Sequence, residues 1–488
     1  MSRSFLTLIS VFFFWGFVAA SNDILIPVFK NELHLEQWQS QLISFAFYIA
    51  YTVGSIIYYV ISSSTGDDLL NRMGYRNGIA LGLLISATGT LLFIPAANTS
   101  SFGLMITGLF IVGLGFSLQQ TAANPLAIRM GDPKKGSQRL SLAGGINNIG
   151  TTIGPVLISL AIFGSVTAGN TKANIENIKT PYLILGLAFV IVAILFKFSS
   201  IPDKISSVEN TGDDVAEDKT IDRVEAKQQN SFKDLGSALK YPQLWMGMIA
   251  IFLYVGVEVS TGGNLGAFLE KEMGLPTEHV APFVSLFWAS LMIGRWTNAA
   301  GVFSNDKNVR TLLSVIMPYM AFGLFLLINY VVGTNIGPFY YYAGIILVLI
   351  AADFMSKGNP ARQLFIFSFM GILALFVGIL SNDPFISAYA FMSVGLFCST
   401  LWPCIFTLAI SGLGKYTNQG SGFLIMMIMG GGFISLLQGY LAGDNLLGIK
   451  WSYLVGVACF AYLAFYAWKA KNILLNSGIN YDEGGSGH

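Results

Sequence analysis

Residues 180–200 read TPYLILGLAFVIVAILFKFSS, and their single charged side chain is Lys197, close to the end. About 20 apolar residues in a helix cross the ~30 Å hydrocarbon core of a bilayer, so this stretch predicts a membrane-spanning helix. The whole chain is similarly apolar, since 54% of its 488 residues are hydrophobic and 11% are charged. A soluble protein carries roughly 25% charged residues, which indicates that much of this surface faces lipid.

A polar segment follows this run and divides the chain. Residues 203–241 are rich in Asp, Glu, Lys and Asn, and a solvated linker accounts for them. Long apolar runs lie on both sides. The earlier ones lie near 5–29, 38–63, 77–97, 102–128, 138–164 and 180–200, and the later ones near 243–269, 279–303, 311–333, 338–354, 363–381, 385–413, 421–443 and 449–470.

Lys and Arg in the short loops orient these runs, because cytoplasmic loops carry an excess of positive residues. Such residues fall in alternate connections: Arg72, Arg76, Arg129, Lys134, Lys135, Arg139, Lys307, Arg310, Lys357, Arg362, Lys415, Lys469 and Lys471. Both termini and the linker are then predicted to be cytoplasmic. The alternation holds only if 311–333 and 338–354 enter the membrane as a pair.

The fold prediction is therefore an all-α polytopic membrane protein with fourteen spans, a twelve-helix core in two six-helix halves plus an inserted transmembrane hairpin at about 311–354. The predicted domains are an N-terminal six-helix bundle over 1–200, a cytoplasmic linker over 201–241, a C-terminal bundle over 242–475 and a tail over 476–488. The last letters of the tail, GGSGH, are typical of an engineered linker.

Composition also excludes several functional classes. The net charge of +1 gives no basic field for nucleic acid. The three cysteines, Cys398, Cys404 and Cys459, lie in apolar runs, and no Cys/His spacing predicts a metal centre. HExxH and clustered Ser/Lys/His sets, which a membrane-embedded enzyme would need, do not occur in the sequence. We expect no cofactor, no nucleic-acid partner and a monomer surrounded by lipid.

Glu258 lies near the middle of the run 243–269, in the string YVGVEVSTGGN. An ionised carboxylate at the centre of a transmembrane helix costs ~2.5–3.5 kcal/mol on insertion scales, so such a residue usually faces a water-filled cavity and serves a function. Thr261 shares its face, and Gly262-Gly263 predict a weakened helix with free carbonyl groups. These oxygen donors suit a proton or Na⁺. The alternative is a protonated Glu258 in an interhelix hydrogen bond.

Further polar residues in the apolar runs are candidate ligands. Asp23 is a second candidate for substrate or ion binding, with an interfacial helix-end carboxylate as the alternative. Amide side chains pair donors and acceptors with sugar hydroxyls without any charge. The amides predicted to bind substrate are Asn22, Gln119, Gln120, Asn124, Asn147, Asn148 and Asn264, although adjacent Asn147 and Asn148 face different ways and only one is expected to line a cavity.

Aromatic rings supply the other half of a sugar site, because the C–H face of a pyranose rests on an indole. The run 385–413 is interrupted at Trp402-Pro403, which predicts a kink there. Trp402, beside this kink, and Trp288 are the candidate platforms, each weighed against ordinary membrane packing. Arg295 lies on the same helix face as Trp288 and is assigned to gating or to an internal salt bridge. Residues 12–15 and 340–342 are aromatic clusters expected to face lipid or the interface.

The loop at residues 66–76 resembles the cytoplasmic loop signature of the major facilitator superfamily. Arg72, Gly74 and Arg76 match it, whereas Asn71 stands where the signature usually has an acidic residue. The two arginines are therefore predicted to act in gating.

Five short strings extend the resemblance to one branch of that superfamily. They are NDILIP at 22–27, QTAANP at 120–125, RLSLA at 139–143, IGR at 293–295 and GGG at 430–432. Together they resemble the L-fucose–proton symporter family, and the likeness covers nearly all of the twelve-helix core. It implies halves that rock around a site near the membrane midplane.

The resemblance also implies roles for particular residues. In fucose members an aspartate of the first helix and a glutamate of the fourth serve the sugar and the proton. Asp23 matches the aspartate, whereas Gln120 stands in place of the glutamate and cannot exchange a proton. The setting of Glu258 resembles glucose/galactose members, some of which couple to sodium, and Trp402 matches an aromatic sugar contact. The hairpin resembles bacterial sugar porters of the Bacteroidetes type.

The functional prediction is cation-coupled symport of a monosaccharide across the bacterial cytoplasmic membrane. The expected substrate is glucose, galactose, mannose, fucose or an N-acetylhexosamine. The coupling ion is Na⁺ or H⁺ at Glu258 and Asp23, with sodium slightly favoured because Gln120 removes a protonatable group. The alternatives are a proton-coupled drug antiporter of the same fold, a membrane enzyme, and a sensor that binds sugar without transport.

Overall fold

The computed structural model describes residues 3–32, 37–65, 68–130, 135–163, 179–199, 201, 236–275, 277–304, 306–331, 333–443 and 445–481. Every regular element in this part of the chain is a helix. The all-α fold class is confirmed.

The first half contains eight helical segments, two of them short. They are α1 (Arg3–Glu32), α2 (Gln37–Thr65), α3 (Leu69–Met73), α4 (Tyr75–Leu91), α5 (Phe93–Asn98), α6 (Phe102–Arg129), α7 (Gly136–Phe163) and α8 (Lys179–Lys197).

The second half follows the linker, most of which lies outside the described residues. Its α-helices are α9 (Pro242–Met273), α10 (Thr277–Phe303), α11 (Lys307–Val331), α12 (Tyr342–Ser356), α13 (Pro360–Leu380), α14 (Pro384–Cys398), α15 (Leu401–Ile410), α16 (Thr417–Met426), α17 (Gly430–Leu441), α18 (Gly448–Trp451) and α19 (Leu454–Asn476). Short 3₁₀ turns precede α9, α12, α16 and α17.

Eleven helical stretches of the described chain are long and apolar enough to cross a membrane. Both arms of the expected hairpin are among them, at Asn308–Val331 and Gly337–Ser356. The described apolar part of α1, Ser4–Val18, is shorter. A multi-pass membrane protein is therefore confirmed, while the number fourteen stays a prediction.

Helix packing repeats in the two halves. In the first, α1 packs along α7, α4 packs against α6 and α8, and α2 packs along α6. In the second, α9 packs along α17, α13 packs against α14 and α19, and α10 packs along α14. The hairpin α11–α12 lies outside this second set, with α11 along α10 and α12 beside α13. The halves meet where α7 contacts α10 and where α16 contacts α2 and α6.

The long run at 385–413 is divided as its sequence predicts. α14 ends at Cys398 and α15 begins at Leu401, so the break lies directly before Trp402-Pro403. Proline fits the first turn of a helix, where its missing N–H is not needed, and it resists the interior of one. The break leaves the carbonyl group of Ser399 available to another donor.

The predicted weakening at Gly262-Gly263 is wrong, because α9 is continuous through both residues. A Cβ atom at Gly262 would lie 2.8 Å from Cε1 of Phe287 and 3.2 Å from Cζ2 of Trp288. The first glycine therefore lets α10 approach closely, a packing role that small residues often have in membrane helices.

Two aromatic clusters also differ in part from expectation. Phe12 and Trp15 are 4% exposed and lie inside the first half, not against lipid. Tyr342 is fully buried, and its hydroxyl group lies 2.6 Å from Oγ of Ser290, whereas Tyr340 is 57% exposed. Periodicity alone could not separate these faces, because a polytopic protein has apolar side chains on both its buried and its lipid-facing surfaces.

Candidate functional site

Glu258 projects from α9 and is half-buried. The hydroxyl group of Tyr254, one turn earlier on the same face, donates a hydrogen bond to its Oε2 atom. The buried ring of Tyr254 lies 6.2 Å from the indole of Trp402, centroid to centroid, with 52° between the planes. The structure thus brings the predicted ion residue and the predicted sugar platform into one neighbourhood, with Tyr254 between them.

Arg295 of α10 connects this neighbourhood to the other half. Its Nε atom donates to the carbonyl oxygen of Ser399 at the helix break, at 3.0 Å. Its Nη1 atom donates to Oδ1 of Asn148 at 2.5 Å and to the carbonyl oxygen of Gly144 at 3.3 Å, both on α7. Arg295 also attracts Glu258 electrostatically. One guanidinium therefore joins the broken helix to the opposite half and lies within electrostatic range of the carboxylate.

The two adjacent asparagines of α7 have different tasks. Asn148 is 3% exposed and accepts the hydrogen bond from Arg295. Asn147 is half-buried, and its Nδ2 atom donates to the carbonyl oxygen of Phe12 on α1 at 2.9 Å. Both side chains thus hold neighbouring helices in place.

The adjacent glutamines of α6 also divide. Gln119 is fully buried, where it accepts from Nε1 of Trp15 at 2.6 Å and donates to Oγ of Ser86 at 3.0 Å. Gln120 is half-buried and donates to the hydroxyl oxygen of Tyr51 at 3.1 Å. Gln119 therefore ties α1, α4 and α6 together, whereas the one hydrogen bond that the Gln120 side chain makes within the described part of the chain leaves its carbonyl oxygen open.

The remaining predicted ligands of the described chain are scattered around this centre. Thr261 is fully buried, and its hydroxyl group has no hydrogen-bond partner among the described residues. The amide nitrogen of Asn124, on a side chain that is 1% exposed, likewise has none in that part of the chain. Asn264 donates to the carbonyl oxygen of Ser260 in its own helix, at 2.8 Å. Trp288 is 36% exposed and packs on Phe287.

Asn22 and Asp23 lie on α1, but their side chains fall outside the described part of the structure. Their predicted roles in substrate and ion binding stay predictions.

The loop signature forms a polar network between the halves that the sequence did not reveal. Asp68, 6% exposed, caps the N-terminus of α3 and accepts from the hydroxyl group of Tyr58 at 2.7 Å. Asn418 of α16 donates to Oδ1 of Asp68 at 3.2 Å and to Oδ1 of Asn71 at 3.0 Å, and it accepts from Tyr75. The acidic residue of this network lies three positions before Asn71.

The two predicted gating arginines lie near this network. Arg72 is exposed in the last turn of α3. Arg76 donates through Nη1 to the carbonyl oxygen of Ser199 beyond α8, at 3.0 Å. Arg129, which the sequence analysis used only for orientation, crosses between the halves and donates to Oγ1 of Thr417 at 2.7 Å.

No cluster of three or more His, Cys, Asp or Glu side chains that could hold a metal ion occurs among the described residues. A hard cation that takes oxygen ligands could still draw on the carboxylate of Glu258 and the unpartnered hydroxyl group of Thr261.

Comparison with known proteins agrees with this architecture. The sequence profile of the Major Facilitator Superfamily matches residues 4–356. The chain is 33% identical over 458 residues to a glucose/galactose transporter of Brucella abortus (strain 2308), covering 93% of this chain and 91% of that one. It is 27% identical over 480 residues to the L-fucose-proton symporter of Escherichia coli (strain K12), covering 95% and 92%.

A solved structure shares the fold. The crystal structure of the transporter FucP in the outward conformation superposes with a TM-score of 0.69 at 23% identity, covering 96% of this chain and 98% of that one. The matched family and the relatives are transporters, so the membrane-enzyme alternative is wrong. The chain belongs to the Major Facilitator Superfamily, in the branch that contains the glucose/galactose and L-fucose–proton transporters.

Proposed function

We propose that this protein is a cation-coupled symporter that carries a monosaccharide across the bacterial inner membrane by alternating access, with both termini in the cytoplasm. The observation that carries the proposal is that Arg295, which hydrogen-bonds to the opposite half, lies within electrostatic range of Glu258. The names of the relatives, glucose/galactose transporter and L-fucose-proton symporter, support a sugar as the substrate. One chain supplies both halves that this cycle needs, so we propose a monomer as the functional unit.

The sugar site in this proposal lies between the halves. Trp402 supplies an apolar ring face, and Gln120 supplies a carbonyl acceptor on an amide that Tyr51 holds in place. Uncharged amides and an indole bind the hydroxyl groups and C–H faces of a sugar better than they bind a charged or hydrophobic drug. These residues favour the sugar over the drug-antiporter alternative.

The proposed coupling between cation binding and movement of the halves depends on the charge of Glu258. A cation bound at Glu258 neutralises the carboxylate and removes its attraction for Arg295. Arg295 also holds Asn148 and Gly144 of the other half, so neutralising Glu258 changes the contact between the halves. Both H⁺ and Na⁺ can act in this way. The name of the E. coli relative supports the proton, and the free hydroxyl group of Thr261 among the described residues supports sodium.

The test uses purified protein in proteoliposomes and the replacement Glu258→Gln. We expect this variant to lose concentrative uptake of labelled glucose, galactose, mannose, N-acetylglucosamine or L-fucose under an imposed ion gradient. Counterflow of the same sugar should persist, because exchange needs no net cation movement. Separate pH and sodium gradients identify the ion.

Glu270→Gln is the matched control, since Glu270 is an exposed carboxylate on the same helix. It should transport like the wild type. Concentrative uptake by Glu258→Gln would overturn the coupling role, and the absence of counterflow for every sugar in the wild type would overturn the sugar proposal. That second outcome would also leave the non-transporting sensor as the better reading.

A further inference from the structure

Gln138, in the first turn of α7, crosses the boundary between the halves. It is 5% exposed. A Cβ atom at Gly301 of α10 would lie 2.4 Å from its Oε1 atom, and one at Gly358, in the loop after α12, would lie 3.1 Å from its Nε2 atom. The side-chain amide of one half therefore occupies a socket that two glycines of the other half leave open.

The inserted hairpin builds part of this socket. Nη2 of Arg310, in the first turn of α11, lies 3.0 Å from the Cβ position of Gly358, the same position that Nε2 of Gln138 approaches to 3.1 Å. Arg310 also attracts Asp353 at the end of α12. The carbonyl oxygen of Asp353 accepts from Oγ of Ser356 at 2.6 Å, and that Oγ atom accepts from the N–H of Gly358 at 3.4 Å. Both arms of the hairpin thus shape the loop that receives Gln138.

A second connection runs beside the first. The carboxylate of Asp353 accepts from Nε2 of Gln363 at 3.1 Å, and Oε1 of Gln363 accepts from the thiol of Cys404 at 3.6 Å. Sγ of Cys404 lies 3.7 Å from Oγ of Ser137, the neighbour of Gln138. The hairpin is therefore joined through α13 and α15 to the same turn of α7.

The socket packs against Gln138 without satisfying the hydrogen-bonding capacity of its side-chain amide. Its Oε1 atom has no hydrogen-bond partner among the described residues, although the atom is buried. A buried acceptor without a partner is costly, and water would satisfy it if the halves separated here. The contact is thus tightly packed yet readily released, as a gate requires.

We propose that Gln138 is a gating residue and that the hairpin α11–α12 supplies part of its socket. The hairpin then works in alternating access as a third component beside the two halves, and it is not merely added bulk at the lipid boundary. The inference rests on the proposed transport cycle only for the separation of the halves, and it does not depend on the identity of the solute.

The native thiols supply the readout. Cys404 is fully buried between the halves beside Ser137, whereas Cys459 is 3% exposed on α19 of the C-terminal half. We measure alkylation of each thiol by N-ethylmaleimide in lipid nanodiscs, using mass spectrometry. Opening of the gate exposes Cys404 and leaves Cys459 protected, whereas general unfolding exposes both of these thiols. The ratio of the two rates separates these causes without any sugar present.

We expect Gln138→Ala, Gly301→Val and Arg310→Ala to raise the rate at Cys404 about fivefold or more, with no change at Cys459. Gly323→Val in the hairpin is the control, since its Cβ atom meets no described atom within 4 Å, and it should behave like the wild type. Equal Cys404 rates in Gln138→Ala, Arg310→Ala and the control would overturn the inference.

A double variant addresses the risk that Gly301→Val acts through backbone strain. Gly301→Ala should raise the Cys404 rate in the wild-type background and have little further effect in Gln138→Ala, because the added methyl group then has no amide to displace. Equal effects in both backgrounds would show that Gly301 acts independently of Gln138 and would also overturn the proposal.

Discussion

Neighbouring residues of the same type have different roles in this protein. Gln119 and Gln120 are adjacent, as are Asn147 and Asn148, and in each pair one member is buried and the other is half-buried. Successive residues of a helix point about 100° apart, so adjacent amides cannot share a face. The sequence predicted this division for the asparagines, but it could not identify which member does which.

The two glutamines allow a direct test at the residue scale. Gln119→Ala removes an acceptor for Trp15 and a donor for Ser86 in a fully buried position, so we expect it to destabilise the fold by about 1–3 kcal/mol. Gln120→Ala should instead weaken sugar binding, with a smaller effect on thermal stability. Thermal unfolding and the sugar concentration for half-maximal counterflow measure the two effects. A Gln120 variant that only unfolds earlier would remove Gln120 from the sugar site.

At the scale of elements, two interruptions predicted from sequence had opposite outcomes. The break beside Trp402-Pro403 is present because the proline ring conflicts with a preceding helical turn. The weakening at Gly262-Gly263 is absent because tertiary packing determines the conformation there. Proline carries its constraint in its own ring, whereas the effect of a glycine depends on neighbours that a single sequence does not show.

Replacing each glycine of this pair by alanine is expected to change the stability of the protein in opposite directions. Gly262→Ala places a methyl group 2.8 Å from Phe287, so we expect it to destabilise α9 by about 1–3 kcal/mol. Gly263→Ala meets nothing nearer than Oγ of Ser435 at 3.8 Å, and it should stabilise the helix by about 0.5–1 kcal/mol. Thermal unfolding in one detergent compares the two. A destabilised Gly263 variant would contradict the packing described for this face.

On the scale of the whole molecule, the sequence predicted the fold class, the family and a pair of candidate spans inserted in the second half. Apolar run lengths carry this information because a bilayer demands long helices. The contacts between the halves were not predictable in the same way. Asp68 pairs with Asn418, and Gln138 packs against Gly301, in each case more than 150 positions away along the chain. A single sequence gives no information about such pairs.

The network around Asn418 predicts a shift of the whole molecule. Asn418→Ala leaves Asp68, Asn71 and Tyr75 without their partner on α16, so we expect the halves to separate more often at this end, by about fivefold or more in population. Spin labels at Asn77→Cys and Leu239→Cys report the separation by pulsed electron resonance. Asn335→Ala, an exposed asparagine in the hairpin turn, is the control. An unchanged distance distribution would show that this network does not hold the halves together.

The hairpin has one more consequence, for movement within the bilayer. The second half carries two additional helices whose outer faces are largely apolar, so it displaces more lipid than the first. The viscous drag of the bilayer on an embedded protein increases with the cross-section of that protein. In the proposed transport cycle, we therefore expect the N-terminal half to move more than the C-terminal half relative to the surrounding lipid.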